Sequence, residues 1–222
     1  MLTLKQLYIS VTDGSRRSYG GDQGRSENVT MRKCGCGVIA AADVLLYLSR
    51  RYECFKDLRL DLSGTIAREE YEKLTTHLRR RYFPLIPYSG INGVTLMAGM
   101  NLYFMRNRPP LSAEWRFFNH DIWERIAKML TDDIPVIMAV GPNFPFFWQN
   151  NRTVLYTKDI AGNYHPSSST KAHYVTVTGL DESWVQISSW GRLLYINRAE
   201  FDEYTKKHSA GFLCSILYIK HK

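Results

Sequence analysis

The run Gly37–Tyr47, GVIAAADVLLY, is apolar nearly all round a helix and is broken only by Asp43. A helix with no polar face has no side to turn to water, so it has to lie in the middle of the fold with the other elements arranged about it. A chain of 222 residues can do this as one domain or two closely packed lobes. At that size folding buries roughly 70% of the unfolded surface, so the core needs no disulfide or metal staples. Cys34, Cys36, Cys54 and Cys214 form no regular framework. Cys34-Gly35-Cys36 also lacks the second Cys or His pair that a structural zinc site requires.

The rest of the chain divides by hydrophobic period. Residues 1–33 are polar and glycine-rich, with Gly14, Gly20, Gly21 and Gly24, and read as an arm or strand followed by a loop from Ser10 to Lys33. Ala67–Arg81 reads as an amphipathic helix with Ala67, Tyr71, Leu74 and Leu78 on one face. Its glutamates come early and its arginines late, as the helix dipole favours. Further helices are expected over about Val94–Met105 and Asp121–Leu130, the latter capped by Asn119 and buried through Ile122, Ile126, Met129 and Leu130. From Pro135 the runs become short and β-rich: Pro135–Val140, His173–Thr178, Trp184–Ile187, Leu193–Ile196 and Phe212–Ile219. Gly141–Ala172 reads as a long functional or mobile loop, dense in Asn, Pro, Ser and aromatics.

Composition excludes some functions and leaves others open. The net charge of +8 and clusters such as Arg79-Arg80-Arg81 would attract nucleic acid, an anionic membrane surface or an acidic protein. No zinc-finger spacing, RNA-recognition signature or phosphate loop accompanies the charge, and basic runs at helix ends are commonly solvated faces. Nucleic-acid binding is therefore the remotest of the readings carried forward. No stretch of 18 apolar residues occurs, and the start of the chain has no signal-peptide order, so a cytoplasmic protein without a membrane span is expected.

Two residues stand out chemically. Cys36 opens the apolar helix, where the helix N-terminus lowers a thiol pKa and offers backbone N–H groups to an oxyanion. The bland alternative is that a cysteine there is a small hydrophobe. His173 starts an alternating run in which Val175 and Val177 share its face, so it lies at the edge of a core face. His77, His208 and His221 read as surface residues and His165 as a weaker competitor. Phe144, Phe146, Phe147 and Trp148 are either core cover or a hydrophobic subsite.

The segment CGVIAAADVLLYL from Cys36, the strand IPVIMAV, and the block AHYVTVTGLDESWVQISSWGRLLYI from Ala172 resemble papain-like cysteine peptidases. The likeness is closest to the bacterial branch related to the peptidase domains that trim double-glycine bacteriocin leaders. It covers two blocks; residues 50 to 130 match only as generic helices. The resemblance implies that Cys36 is the nucleophile and His173 the base. Their separation of 137 residues falls inside the roughly 130 to 150 quoted for papain-type pairs.

The residue that orients the imidazole falls on Ser188, where the family carries Asn or Asp. Period-2 counting from Val185 and Ile187 turns Ser189 to the core side instead. At the oxyanion position the family's Gln is replaced by Thr30, leaving Asn28 or Gln23 to supply an amide. Trp190 shields the histidine, and Cys34 is a packing or redox-sensitive neighbour.

The implied fold is α+β and papain-like over residues 1–222, with a helical lobe to about residue 130 carrying Cys36 and an antiparallel sheet lobe from about 131 carrying His173. The implied function is a cysteine peptidase, or related thiol acyltransferase, cleaving a peptide or amide bond through a thioester, with a peptide or protein substrate and no cofactor. The serine in third place and the missing Gln motivate a second reading, a catalytically inactive binding module of the same fold. The third is a basic nucleic-acid binder.

Overall fold

A computed structural model describes residues 1–55, 58, 60, 63–116 and 121–222. The elements are β1 (Leu2–Thr3), β2 (Ser10–Asp13), β3 (Arg16–Tyr19), α1 (Val29–Cys34), α2 (Cys36–Ser49), β4 (Thr65–Ala67), α3 (Arg68–Arg81), α4 (Gly93–Asn107), β5 (Leu111–Trp115) and α5 (Ile122–Thr131). They continue with β6 (Val136–Val140), β7 (Thr153–Lys158), β8 (Tyr164–Thr170), β9 (His173–Leu180), β10 (Trp184–Ser189), β11 (Arg192–Asn197), α6 (Arg198–His208) and β12 (Ile216–His221).

Among the described residues the architecture is dominated by one nine-stranded antiparallel sheet. Its strand order is β5-β12-β6-β9-β10-β11-β7-β8, with β1 added against the end of β9. A small second sheet has the order β3-β2-β4. This β-rich fold replaces the expected helical lobe packed on a separate sheet lobe. Two strands from the first 130 residues, β1 and β5, belong to the same sheet as the C-terminal strands, so the chain does not divide into helical and sheet halves.

The supposed loop 141–172 also contributes β7 and β8, paired as an antiparallel hairpin. These strands escape a hydrophobic count because β8, YHPSSST, is serine-rich and exposes His165, Pro166 and Ser167. Likewise, the glycine-rich arm forms β2 and β3 and then the short helix α1, whose first turn is capped by Asn28.

The central helix is where its composition requires. In α2, Gly37 through Leu48 are all buried. Each such Val, Leu or Ile contributes about 1.5–3 kcal/mol of burial free energy relative to an exposed position. Helix α2 packs on β9 and β6, the middle of the sheet. Helix α5 buries Ile122, Ile126, Met129 and Leu130 as its stripe predicts. Asn119, its expected cap, lies outside the described residues. Helix α4 is capped by Asn92, which accepts from the Thr95 N–H, and α6 by Asn197, which accepts from the Glu200 N–H. No described helix is long and apolar enough to cross a membrane.

The far end of α2 is tied to the sheet through one carboxylate. The Tyr47 hydroxyl donates to Asp133 Oδ1 at 2.6 Å, and the Lys5 N–H donates to the same oxygen at 2.8 Å. Asp133 is buried, with a left-handed φ of 60°, in the turn between α5 and β6. Removing the hydroxyl strips one of two donors from a buried acceptor. Tyr47→Phe is therefore expected to cost roughly 1.5–3 kcal/mol of unfolding free energy, measurable by urea denaturation, with the slope unchanged.

Candidate active site

Cys36 is the first residue of α2, and Gly35 before it supplies no side-chain cap to the first turn of the helix. His173 is the first residue of β9, in register with Val140 of β6. The two meet along walls of shared cavities. A narrow pocket of about 10 Å³ is lined by Cys36, Asp43, His173, Ser188, Ser189 and Trp190. A larger cavity of about 610 Å³ is also lined by Cys36 and His173 and is walled by Tyr88, Trp115, Tyr174 and Phe212.

Gly37 allows the approach: a Cβ there would stand 2.5 Å from the Ile91 side chain and 3.2 Å from the Tyr174 ring.

The imidazole is held on two sides. Its Nε2 is 2.8 Å from Ser189 Oγ, and the Trp190 ring stacks on it with centroids 4.7 Å apart and an interplanar angle of 23°. Ser189, not Ser188, is thus the partner of His173. Ser188 Oγ instead donates to the Tyr19 carbonyl at 2.8 Å.

The reason lies in the strand. The β9–β10 ladder has a bulge, but the extra residue, Thr178, is on β9, since Gln186 pairs with Gly179 and Ile187 with Val177. The alternation of β10 is intact, and Ser189 stays in phase with Val185 and Ile187. With Nε2 engaged by Ser189, Nδ1 is the ring nitrogen left free.

Asn28 lines neither cavity; its Oδ1 accepts from the Met31 N–H as the cap of α1. Gln23, the alternative, lines both cavities, and its amide nitrogen donates to the Arg32 carbonyl at 3.1 Å. Cys34 also lines the large cavity, with its sulfur 3.1 Å from the Thr30 carbonyl. Of the other histidines, His165 is exposed on β8 against Asp159, away from this cluster. Phe147 reaches the large cavity; Phe144, Phe146 and Trp148 are exposed beyond it.

The protonation states differ from the expected ion pair. Burial pushes the Cys36 thiol up, outweighing the backbone N–H groups of Tyr174 and Gly37 that favour the thiolate. Burial alone pulls the His173 imidazole down to about 4. At neutral pH the resting pair is therefore a thiol and a neutral imidazole, the form that can accept a proton. The helix N-terminus does not lower the thiol here because desolvation is the larger effect.

Beneath the pair is a group that sequence patterning registered only as a break in an apolar run. Asp43, two turns along α2 from Cys36, is buried and receives Tyr71 Oη at 2.6 Å, Tyr8 Oη at 3.0 Å and the Gly21 N–H at 3.1 Å. Desolvation exceeds these favourable contacts and pushes its carboxyl up to about 6. Gly20 passes between this carboxylate and Ser188, and Gly21 passes against Tyr71. A Cβ on Gly20 would stand 2.3 Å from Ser188 Oγ and 2.5 Å from Asp43 Oδ2, and one on Gly21 would stand 2.0 Å from Tyr71 Oη. The glycines that suggested an irregular arm are thus what lets the arm reach the site. The signal was present as a Gly-Gly pair two residues before Gln23.

Comparison of the chain with protein-family models, with curated proteins and with solved structures finds no match in any of the three. The case for a function rests on the geometry.

Asp43 and His173 oppose each other in pH dependence. Asp43 rises from 3.8 to about 6, so the folded chain keeps a proton that the unfolded chain has lost. That stabilisation is full below about pH 4 and is lost as pH rises through 6. His173 falls from 6.5 to about 4, so its contribution is full above about pH 6.5 and is lost as pH falls through 4. Each amounts to roughly 3 kcal/mol with opposite sign. Asp43→Asn is therefore expected to make the melting temperature fall more steeply on acidification from about pH 7 to 4.5 than in the wild type, and His173→Gln to do the reverse. Melting curves of the three proteins that stay parallel across that range would contradict the assignment.

Proposed function

We propose that the chain is a cysteine hydrolase, or a thiol acyltransferase, acting on a peptide or amide bond through a thioester on Cys36. The observation that carries the reading is the convergence of Cys36, at the uncapped head of a buried helix, with His173 at one cavity. The orientation of His173 is fixed by Ser189 through Nε2 and by Trp190 through its ring face. The reading is of papain-like chemistry, as the Cys36 and His173 segments suggest, and does not depend on the two-lobed architecture.

In this reading His173 Nδ1 takes the thiol proton as Sγ bonds to the substrate carbonyl carbon. The oxyanion so formed faces the backbone N–H groups of the first turn of α2, with the Gln23 amide at the edge of the cavity. The imidazolium then gives its proton to the leaving nitrogen as the C–N bond breaks, leaving a thioester and a free amine. Water, or an acceptor nucleophile, attacks the thioester, and the thiol is restored with its proton. The neutral resting pair suits this order, because a thiol that loses its proton only as it attacks is shielded from adventitious oxidation. Ser189 fixes the ring but brings no charge to the imidazolium, so a modest turnover is expected.

The second reading, an inactive module that binds a peptide in the same cavity, is favoured by the pushed-up thiol and the uncharged orienting group.

The two readings diverge in alkylation by a peptidyl vinyl sulfone followed by peptide mapping. A functioning pair gives Cys36-selective labelling with a rate that is level across neutral pH, since proton transfer to His173 is independent of bulk pH between the two pKa values. His173→Ala removes that plateau and leaves reactivity only in alkaline solution, where the buried thiol ionises by itself. Identical pH profiles for wild type and His173→Ala would leave the binding module. Ser189→Ala is expected to slow labelling about tenfold, the equivalent of one lost neutral hydrogen bond. Ser188→Ala should change stability rather than rate.

A further inference from the structure

Five aromatic rings, four from the 144–148 segment and Phe212, have much of their surface in solvent. Trp148 is 79% exposed, Phe147 59%, Phe146 47%, Phe212 43% and Phe144 39%. Phe144 contacts Phe147 and Phe212 edge-on, with centroids 5.7 and 5.5 Å away, and Phe146 lies 5.3 Å from Trp148. Phe147 and Phe212 line the cavity, whereas Phe146 and Trp148 extend the patch outside it. The two ring groups adjoin along the 144–148 segment, and a concentration of exposed aromatic rings of this kind marks a surface made to be covered.

The charge around the patch selects the cover. The segments that supply the rings, 141–158 and 204–222, contain no Asp or Glu, and among the described residues no acidic side chain lines the cavity. Cations border it: Lys171 donates to the Gln149 carbonyl, Arg152 follows in the same segment, and Lys33 lines the cavity with Phe147. Lys206 and Lys207 precede His208, whose carbonyl accepts from the Phe144 N–H, although Lys207 is already paired with Glu203.

A second copy of this chain would bring like charges together at the patch, on a molecule of net charge +8. We propose that the rings of the 141–152 segment, with Phe212, dock on an anionic lipid surface, the aromatics entering the headgroup region and the flanking lysines and Arg152 meeting lipid charges. Trp and Phe are the side chains that settle at that depth, and basic residues beside them supply the attraction. Docked so, the mouth of the cavity faces the bilayer.

The test is co-sedimentation of the intact chain with vesicles of phosphatidylcholine alone or mixed with phosphatidylglycerol. Binding to the anionic vesicles is expected to exceed that to neutral ones at least about tenfold, and to weaken steeply as salt rises toward roughly 0.5 M. Brominated lipid should quench tryptophan emission in the wild type. Trp148→Phe should retain binding and lose most of the quenching. The double variant Phe146→Ser with Trp148→Ser should bind at least about tenfold more weakly, with Cys36 labelling unchanged.

No sedimentation with anionic vesicles at low salt, or binding indifferent to the double variant, overturns the proposal. So does a dimer, seen by light scattering, that the double variant dissolves, because the cover is then a second copy.

Discussion

Putting a helix without a polar face at the centre of a fold leaves one difficult residue, and the surroundings of Asp43 are organised by it. A carboxylate buried in α2 needs donors, and they come from three separate stretches of chain: Tyr8 from the first segment, Gly21 from the arm and Tyr71 from α3. Satisfying that group draws the N-terminal arm across the head of the helix. The same stretch then meets the sheet, with Tyr19 accepting from Ser188 and donating through its N–H to the Gly191 carbonyl. One buried charge thus joins the thiol helix, the arm that carries Gln23 and the corner that holds the histidine.

The candidate site sits where those three parts meet, and its electrostatics follow from burial more than from charge pairing. Both members of the Cys36–His173 pair are pushed toward their neutral forms, and the orienting group is a hydroxyl. Such a site stores less charge than a thiolate–imidazolium pair. The imidazole is held by geometry, through the Ser189 hydrogen bond and the stacked Trp190, and not by a charged partner. The cavity beside it is apolar and cationic at its rim, and its aromatic border continues outward onto the surface. Cys36 and His173 therefore share the walls of one cavity with Phe147 and Phe212.

Several elements were legible because their residues report their surroundings locally. The buried helix, the dipole-ordered glutamates and arginines of α3, the stripe of α5 and the short strands from Val136 onward all carry their own periodicity. The misplaced parts lack it. Strands β7 and β8 are held by pairing to each other and to β11, with polar residues facing water, so no alternation of apolar residues marks them. Strand β1 has two residues and exists only because the end of β9 is there to receive it. That is why the division into helical and sheet lobes failed: sheet membership is a long-range fact.

At the site, the sequence by itself determined which groups are available. Cys36 had to open the buried helix, His173 had to start a strand with Val175 and Val177 on its face, and Ser189 had to share a face with Val185 and Ile187, because periods of 3.6 and 2 fix side-chain direction within one element. Only the tertiary structure decided the rest. Asn28 is used as a helix cap, and Gln23 reaches the cavity because Gly20 and Gly21 let the arm pass beside Asp43. Whether the thiol is charged was also decided there. Helix position alone argues for a low pKa, but desolvation depends on every segment folded over the sulfur, and that sum exists only once the chain has closed around it.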